Sequence, residues 1–173
     1  SYLLGDVGIS ARVRPDSTAM DIQSQLLDLH LRSNTDPASF SKALNRHYRS
    51  YLTQEVEYDT INPPVDIQLT AEIREHRMLS EIFLPSLESM DTINIDIDFQ
   101  ERNRSLKGLV DLPYLNFMGN EIDSLRIEMA SDPNDLELNL RFKGINAGPV
   151  AIQETSLEGS LADQVYHFDF RSM

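Results

Sequence analysis

Asp91-Thr-Ile-Asn-Ile-Asp-Ile-Asp-Phe99 alternates apolar and polar residues without a break after its first two residues. Side chains of an extended chain point alternately to its two sides, whereas a helix would scatter both sets. The three isoleucines and Phe99 therefore share one side, and Asn94, Asp96 and Asp98 share the other. This period predicts a β-strand with one apolar and one water-facing side.

The same alternation recurs through the C-terminal half of the chain, separated by polar turns predicted at 100–104, 120–123, 131–135 and 146–149. It predicts several strands whose apolar side chains share one face. The residues that we expect to line this face are Ile93, Ile95, Ile97, Phe99, Leu125, Ile127, Met129, Leu136, Leu138, Leu140, Phe142, Tyr166, Phe168 and Phe170.

The N-terminal part predicts further strands and a helix. Residues 7–14 alternate before a Pro-Asp-Ser turn, and the period slips at the adjacent Leu26 and Leu27, which predicts a bulge or a bend. Asp36-Pro37 is a helix-start signal, and the pattern after it predicts an amphipathic helix near 37–53. A second, short helix is predicted near 76–84, before Pro85.

The predicted first helix places Ala43, Leu44, Tyr48, Tyr51 and Leu52 on its apolar side. Lys42, Arg46 and Arg49 fall on the other side and predict a basic outer face. Such a helix could be a lid or a contact for an acidic partner. The simpler interpretation, which we favour, is a helix that plugs an end of the sheet and leaves its basic residues in water.

The composition limits the classes of function. The chain has 173 residues, of which 15 are basic and 28 acidic, and the resulting formal charge of -13 argues against nucleic acid as a partner. It contains no cysteine, so disulfide bonds and thiolate metal sites are excluded. We find no signal peptide and no apolar run of membrane-spanning length. Because no initiating methionine precedes Ser1, we expect a segment of a longer protein.

A weak internal repeat of roughly thirty residues is visible, within the range typical of repeat proteins. Met90-Asp-Thr-Ile93 is similar to Ile122-Asp-Ser-Leu125, and alternating residues follow both. We therefore predict one β-rich unit over residues 1–173 within a longer repeat protein. In it, residues 1–64 contribute strands and the covering helix, and residues 65–173 contribute the repeating strands.

Five stretches carry a family resemblance: 93–99, Leu106-Lys-Gly-Leu-Val-Asp-Leu112, Ile122-Asp-Ser-Leu-Arg-Ile-Glu-Met129, Leu136-Glu-Leu-Asn-Leu-Arg-Phe142 and Leu157-Glu-Gly-Ser-Leu161. In these stretches the chain resembles the AsmA-like superfamily, specifically the long TamB-type translocation and assembly proteins of Gram-negative envelopes in their Bacteroidetes form. The resemblance covers most of the chain after about residue 65. The two predicted helices depart from the simple strand array of that family.

The resemblance implies a long antiparallel sheet curled into an open β-trough with an apolar lining. It also implies a periplasmic location, with an anchor in the inner membrane outside this segment. The implied partners are phospholipid acyl chains moving between the membranes, or unfolded outer-membrane protein strands together with an outer-membrane assembly partner. No enzymatic activity and no cofactor or metal are implied.

Two alternatives follow from the residues. Pattern alone does not decide between the open trough and a closed β-sandwich, which would be an interaction or adhesion module. A carbohydrate-active enzyme would use carboxylates such as Asp91, Asp96 and Asp98, but alternation places Asp96 and Asp98 on the water-facing side. The four histidines lack the spacing of a zinc site, and no nucleophile or phosphate-loop motif is present.

Overall fold

A computed structural model describes residues 5–53 and 63–172. The described residues are dominated by β-strands that are linked, for the most part, by short turns. The first four strands are β1 (Gly8–Arg14), β2 (Ser17–Gln23), β3 (Leu27–Ser33) and β4 (Asp66–Ile73). They are followed by β5 (Leu87–Met90), β6 (Ile93–Gln100), β7 (Ser105–Phe117), β8 (Asn120–Ser131), β9 (Asp135–Phe142), β10 (Gly144–Ala147), β11 (Val150–Ile152), β12 (Thr155–Ala162) and β13 (Val165–Ser172).

The described strands form one antiparallel sheet that is not closed. Ten of them follow one another in the order β1-β2-β3-β4-β6-β7-β8-β9-β12-β13. The predicted mainly β fold with an open sheet is confirmed. The closed β-sandwich alternative is wrong, because the described strands form one continuous sheet rather than two sheets packed face to face, and its outer strands β1 and β13 do not pair with each other.

The predicted helix near 37–53 is present as α1 (Phe40–Arg49), which a 3-10 turn at Pro37–Ser39 precedes. The Asp36 carboxylate accepts a hydrogen bond from the Ala38 amide, so the predicted cap is formed. The short helix predicted near 76–84 is present as a single π-helical turn, Leu79–Phe83.

The connections between strands follow the pattern in one case and differ from it in another. Of the bulge or bend predicted at Leu26 and Leu27, the bend is confirmed, because residues 24–26 form a tight hairpin turn in which the Ser24 hydroxyl accepts hydrogen bonds from the Leu26 and Leu27 amides. The turn predicted at 120–123 is made by Met118 and Gly119 instead, both of which have positive φ angles. The residues after them already belong to β8, because residues 120–123 pair through their backbone with β7.

At the strand ends that lie away from α1, the pairing of several strands is interrupted along one line across the sheet, which we call the crease. β5 and β6 together form one antiparallel partner of β7, and β9 and β10 together form one partner of β8. The breaks within these partners lie level with Ser124, whose φ angle of 58° is left-handed. Both copies of the repeated motif cross this crease, at 90–93 and 122–125. The crease coincides with an apolar spacing of three instead of two in each motif.

Candidate functional site: the apolar face

The pairing register places apolar side chains in rows that run across all ten strands of the main path. We call the three rows that can be followed from edge to edge the first, second and third row. The first row is Ile9, Ile22, Leu29, Ala71, Ile95, Val110, Ile127, Leu140, Leu157 and Phe170. The second is Ala11, Met20, Leu31, Leu69, Ile97, Gly108, Met129, Leu138, Gly159 and Phe168. The third is Val13, Thr18, Ser33, Ile67, Phe99, Leu106, Ser131, Leu136, Leu161 and Tyr166.

All fourteen residues predicted to line the apolar face lie on this one face. The first row contains Ile95, Ile127, Leu140 and Phe170, the second contains Ile97, Met129, Leu138 and Phe168, and the third contains Phe99, Leu136 and Tyr166. Ile93, Leu125 and Phe142 lie two residues beyond the first row on their own strands. The sequence pattern had therefore grouped them correctly, and their role in binding stays a prediction.

This face is covered unevenly. Phe99, in the third row, has an exposed fraction of 0% and belongs to a core with Ala43, Val65 and Ile67. Along the first row, by contrast, Ala71 alone is buried, and the other residues are partly or fully exposed. The apolar face is thus covered over the middle of its third row, exposed at the two ends of that row, and accessible along its first row.

Helix α1 covers the middle of the third row. Ala43 and His47 of α1, and Tyr51 just after it, occupy one stripe of the helix, which faces the sheet. The His47 ring meets the rings of Phe99 and Tyr51 edge-on, each with a centroid distance of 5.2 Å. The helix therefore packs on the third row through a narrow aromatic contact.

Polar contacts hold α1 on the sheet from the end of β8 to β13. The Tyr51 hydroxyl donates to the carbonyl of Asp132 at 2.6 Å, just after β8. The hydroxyls of Tyr48 and Tyr166 lie 2.5 Å apart and join α1 to β13. Because these contacts lie at the middle of the third row and at its β13 end, α1 covers the strand ends there, in agreement with the interpretation favoured from the sequence.

The orientation of the helix differs from the prediction. Leu44 and Tyr48, expected on the buried side, are exposed, whereas Arg46, expected on the basic outer face, is half-buried. The Arg46 Nε donates to the Glu101 carboxylate at 2.8 Å. The second oxygen of Glu101 accepts a hydrogen bond from the Val65 amide. The basic face is therefore confined to Lys42 and Arg49.

The sequence pattern missed His47 and Glu101 as parts of this site. His47 is buried, its Nε2 lies 2.9 Å from the Ser131 hydroxyl, and its Nδ1 has no hydrogen-bond partner among the described residues. The spacing of four between residues 43, 47 and 51 was the available signal. It was obscured because the histidine does not count as apolar in a search for hydrophobic periodicity.

Burial lowers the pKa of His47, and the nearby Arg104 guanidinium lowers it further, against a smaller opposing effect of the Glu101 carboxylate. Tyr51 also faces this ring, and burial raises the pKa of its hydroxyl. A proton on His47 would place a second positive charge beside Arg104 at a buried contact between helix and sheet. The neutral imidazole is therefore the form that the docked helix favours.

We expect the protein to lose stability on mild acidification through His47. Because the folded state binds this proton more weakly than the unfolded state, the contribution is complete above the ordinary pKa of 6.5. It is lost as the pH falls from that value to the lowered pKa. The measurement is the free energy of unfolding in denaturant at a series of pH values, for the parent chain and for His47→Gln.

The glutamine variant carries no titrating group at this position and so provides the reference for all other groups. The two curves are expected to diverge as the pH falls below neutrality, with the parent chain the more sensitive. Curves that stay parallel between pH 7.5 and about 5 would show that His47 does not titrate differently on folding.

The opposite face of the sheet is polar. Asp96 lies opposite Thr70 and Leu109, and Asp98 lies opposite Gln68 and Lys107. Among the described residues, no group of three or more histidine, aspartate or glutamate side chains could hold a metal ion. Asp96 and Asp98 therefore belong to the outer surface.

Comparisons with known proteins do not identify a family for this chain. No family model matches the chain, and no curated protein or solved structure matches it. In the part of the chain that the structure describes, no helix is long and apolar enough to cross a membrane.

Proposed function

We propose that this chain is a non-enzymatic segment of a cell-envelope protein of the AsmA-like, TamB type, in which the apolar face holds acyl chains. It would serve phospholipid transfer between the inner and outer membranes, assembly of outer-membrane proteins, or both. The observation that supports this most is the accessible first row, which carries ten apolar side chains from one sheet edge to the other.

The physical argument concerns the surface that α1 leaves accessible. A one-sided sheet is stable only if its apolar side chains are removed from water, and here α1 covers chiefly the third row. Each methylene group of an acyl chain that leaves water contributes about 0.8 kcal/mol. A chain lying along the first row would therefore be retained without a specific polar contact or a cofactor.

The same argument predicts weak selectivity for the lipid headgroup. The first row offers only aliphatic and aromatic side chains, and Asp96 and Glu137 belong to the opposite face. An unfolded outer-membrane strand presents alternating apolar side chains and would meet the same surface. Retention without recognition of a headgroup is what a conduit requires.

A second candidate function is an interaction module, which the exposed apolar residues of β13 favour. Along this strand Val165, Tyr166, Phe168 and Phe170 are all exposed. Large exposed apolar patches often mark protein–protein contacts. This candidate requires a protein partner at the sheet edge, whereas the conduit requires an apolar ligand on the sheet face.

The test places a photocrosslinking amino acid at Ile95, Leu138 or Phe168 on the apolar face, and at Asp96 or Glu137 on the polar face. Leu138 and Glu137 form the closest control, because they are adjacent on β9 and differ in the face they occupy. The variants are irradiated in bacterial envelopes, and the products are identified by mass spectrometry.

We expect lipid or unfolded outer-membrane protein to be linked from the apolar face and not from the polar face. The mass of the product distinguishes the two ligands. Equal labelling of the two faces would contradict a conduit. Crosslinks to one folded protein from position 168 alone would support the interaction module.

A further inference from the structure

Among the described residues, β1 and β13 are the outer strands of the sheet, and both carry exposed apolar side chains. Within the described residues, β1 pairs only with β2, and β13 pairs only with β12. Every residue of both strands is exposed, including Ile9 at 69% and Phe168 at 66%. Exposed edge strands of this kind are templates for pairing with another strand.

The directions of the edge strands are complementary. Strand direction alternates along the ten strands of the main path, so the first strand, β1, and the tenth, β13, run in opposite directions. A second copy placed beside the first by translation would bring its β1 next to β13 in antiparallel orientation. The same translation keeps the apolar faces of the two copies on one side.

The three rows end at matching positions on the two edges. They end on β1 at Ile9, Ala11 and Val13, and on β13 at Phe170, Phe168 and Tyr166. Antiparallel pairing with Ala11 opposite Phe168 would align all three rows at once, because successive row members are two residues apart on both strands. A shift by one residue would set apolar side chains against the polar face.

Side-chain size favours this pairing over a contact between two β13 strands. In the second row a glycine lies opposite a bulky residue, as Gly108 does with Met129 and Gly159 with Phe168. The space above Gly159 is filled by the Phe168 ring, 3.2 Å from where a Cβ would lie. The small Ala11 would continue this alternation beyond Phe168, whereas a second Phe168 would crowd it.

Charge disfavours a contact between two β1 strands. The polar-face residues of β1 include Arg12 and Arg14, whereas those of β13 include Asp169, which pairs with Arg171 at 2.7 Å. With Ala11 opposite Phe168, Ser10 lies opposite Asp169, and Arg12 lies diagonal to it. Two β1 strands in contact would instead bring their arginines together.

We propose that β13 of one chain pairs antiparallel with β1 of a second copy of this chain, with Ala11 opposite Phe168, so that the apolar rows continue from copy to copy. This contact is head-to-tail and does not close on itself, so the copies add in a line. It requires β1 and β13 to be the outermost strands of the sheet, and it does not depend on what the apolar face binds.

Two single-cysteine variants test the register. The chain has no cysteine of its own, so Ser10→Cys and Asp169→Cys each carry one thiol, on outward positions that the proposal places opposite each other. A short bis-maleimide is added to each variant alone and to an equal mixture at high protein concentration. We expect the crosslinked dimer in the mixture and not in either variant alone.

Each other result overturns the proposal. Dimers of Ser10→Cys alone or of Asp169→Cys alone would show a two-fold contact between identical edges. The absence of a crosslink in all three samples, at concentrations up to millimolar, would show that these edges do not meet. Far-UV circular dichroism of each variant checks that the sheet is intact.

A second measurement uses a lysine at the edge. Ala11→Lys places a charge on the apolar side of β1. By sedimentation velocity we expect the parent chain to associate and Ala11→Lys to remain monomeric. Ala130→Lys is the matched control, because Ala130 is also an exposed strand alanine but lies on the outward face of the central strand β8. Equal loss in both variants, or none in Ala11→Lys, would contradict the assigned edge.

Discussion

Replacement of Phe99 by alanine is expected to lower the free energy of unfolding by about 3–5 kcal/mol, the range typical of a deleted core aromatic ring. Phe99 is fully buried between β6 and α1, and its ring contacts the ring of His47 edge-on. Its removal opens a cavity in the core that joins Ala43, Val65 and Ile67. The loss therefore affects both the sheet and the docking of α1.

Asp98→Asn is the matched control for this prediction, because Asp98 precedes Phe99 on β6 and belongs to the polar face. Its carboxylate accepts a hydrogen bond from the Gln100 amide, which an asparagine oxygen can also accept. We expect a change within about 0.5 kcal/mol in urea denaturation. Comparable losses in the two variants would contradict the assignment of faces on which the apolar rows depend.

Removal of the Glu101 carboxylate by Glu101→Ala is expected to cost about 2 kcal/mol. One oxygen accepts a hydrogen bond from Arg46 and the other from the Val65 amide, and the side chain is only 17% exposed. Without it, the amide of the buried Val65 loses its acceptor. The cost arises mainly from that desolvated amide, since a buried donor without an acceptor is expensive.

Glu128→Ala provides the comparison for a surface carboxylate. Glu128 pairs with Arg126 at 2.7 Å, but its side chain is 37% exposed and the pair lies on the polar face. Exposed pairs of this kind contribute about 0–1 kcal/mol. Thermal or urea unfolding of both variants should therefore rank Glu101→Ala well below Glu128→Ala in stability. The reverse order would show that Glu101 is not part of the connection between α1 and the sheet.

Much of the sheet could be predicted from sequence because strand alternation is a local property. Ile93 to Phe99 carries its own period, and the same is true of 136–142, so faces could be assigned before pairing was known. The grouping of the fourteen residues followed from that period alone. The turn at Met118 and Gly119 escaped detection because the polar residues after it, at 120–123, resemble a turn in composition.

The orientation of α1 could not be predicted in the same way. Which stripe of a short helix faces the sheet depends on distant partners, here Phe99, Ser131 and Asp132. Leu44 is the more hydrophobic residue, yet His47 is buried because the Ser131 hydroxyl and two aromatic rings lie beneath it. Long-range pairing overrode local hydrophobicity at this contact.

The order of the strands in the main path has a consequence for how the chain acquires its structure. Strands that are neighbours in the path are consecutive or nearly consecutive in the chain, so most pairings close short loops and none requires a strand from the far end of the chain. Folding can then begin at any hairpin and spread outward in both directions. The excursion between β3 and β4 that carries α1 is the longest connection, and the helix can settle only after β6 and β8 have provided its contacts. We expect outer strands to open locally before central ones, so local stability should decrease from the centre of the sheet towards its edges.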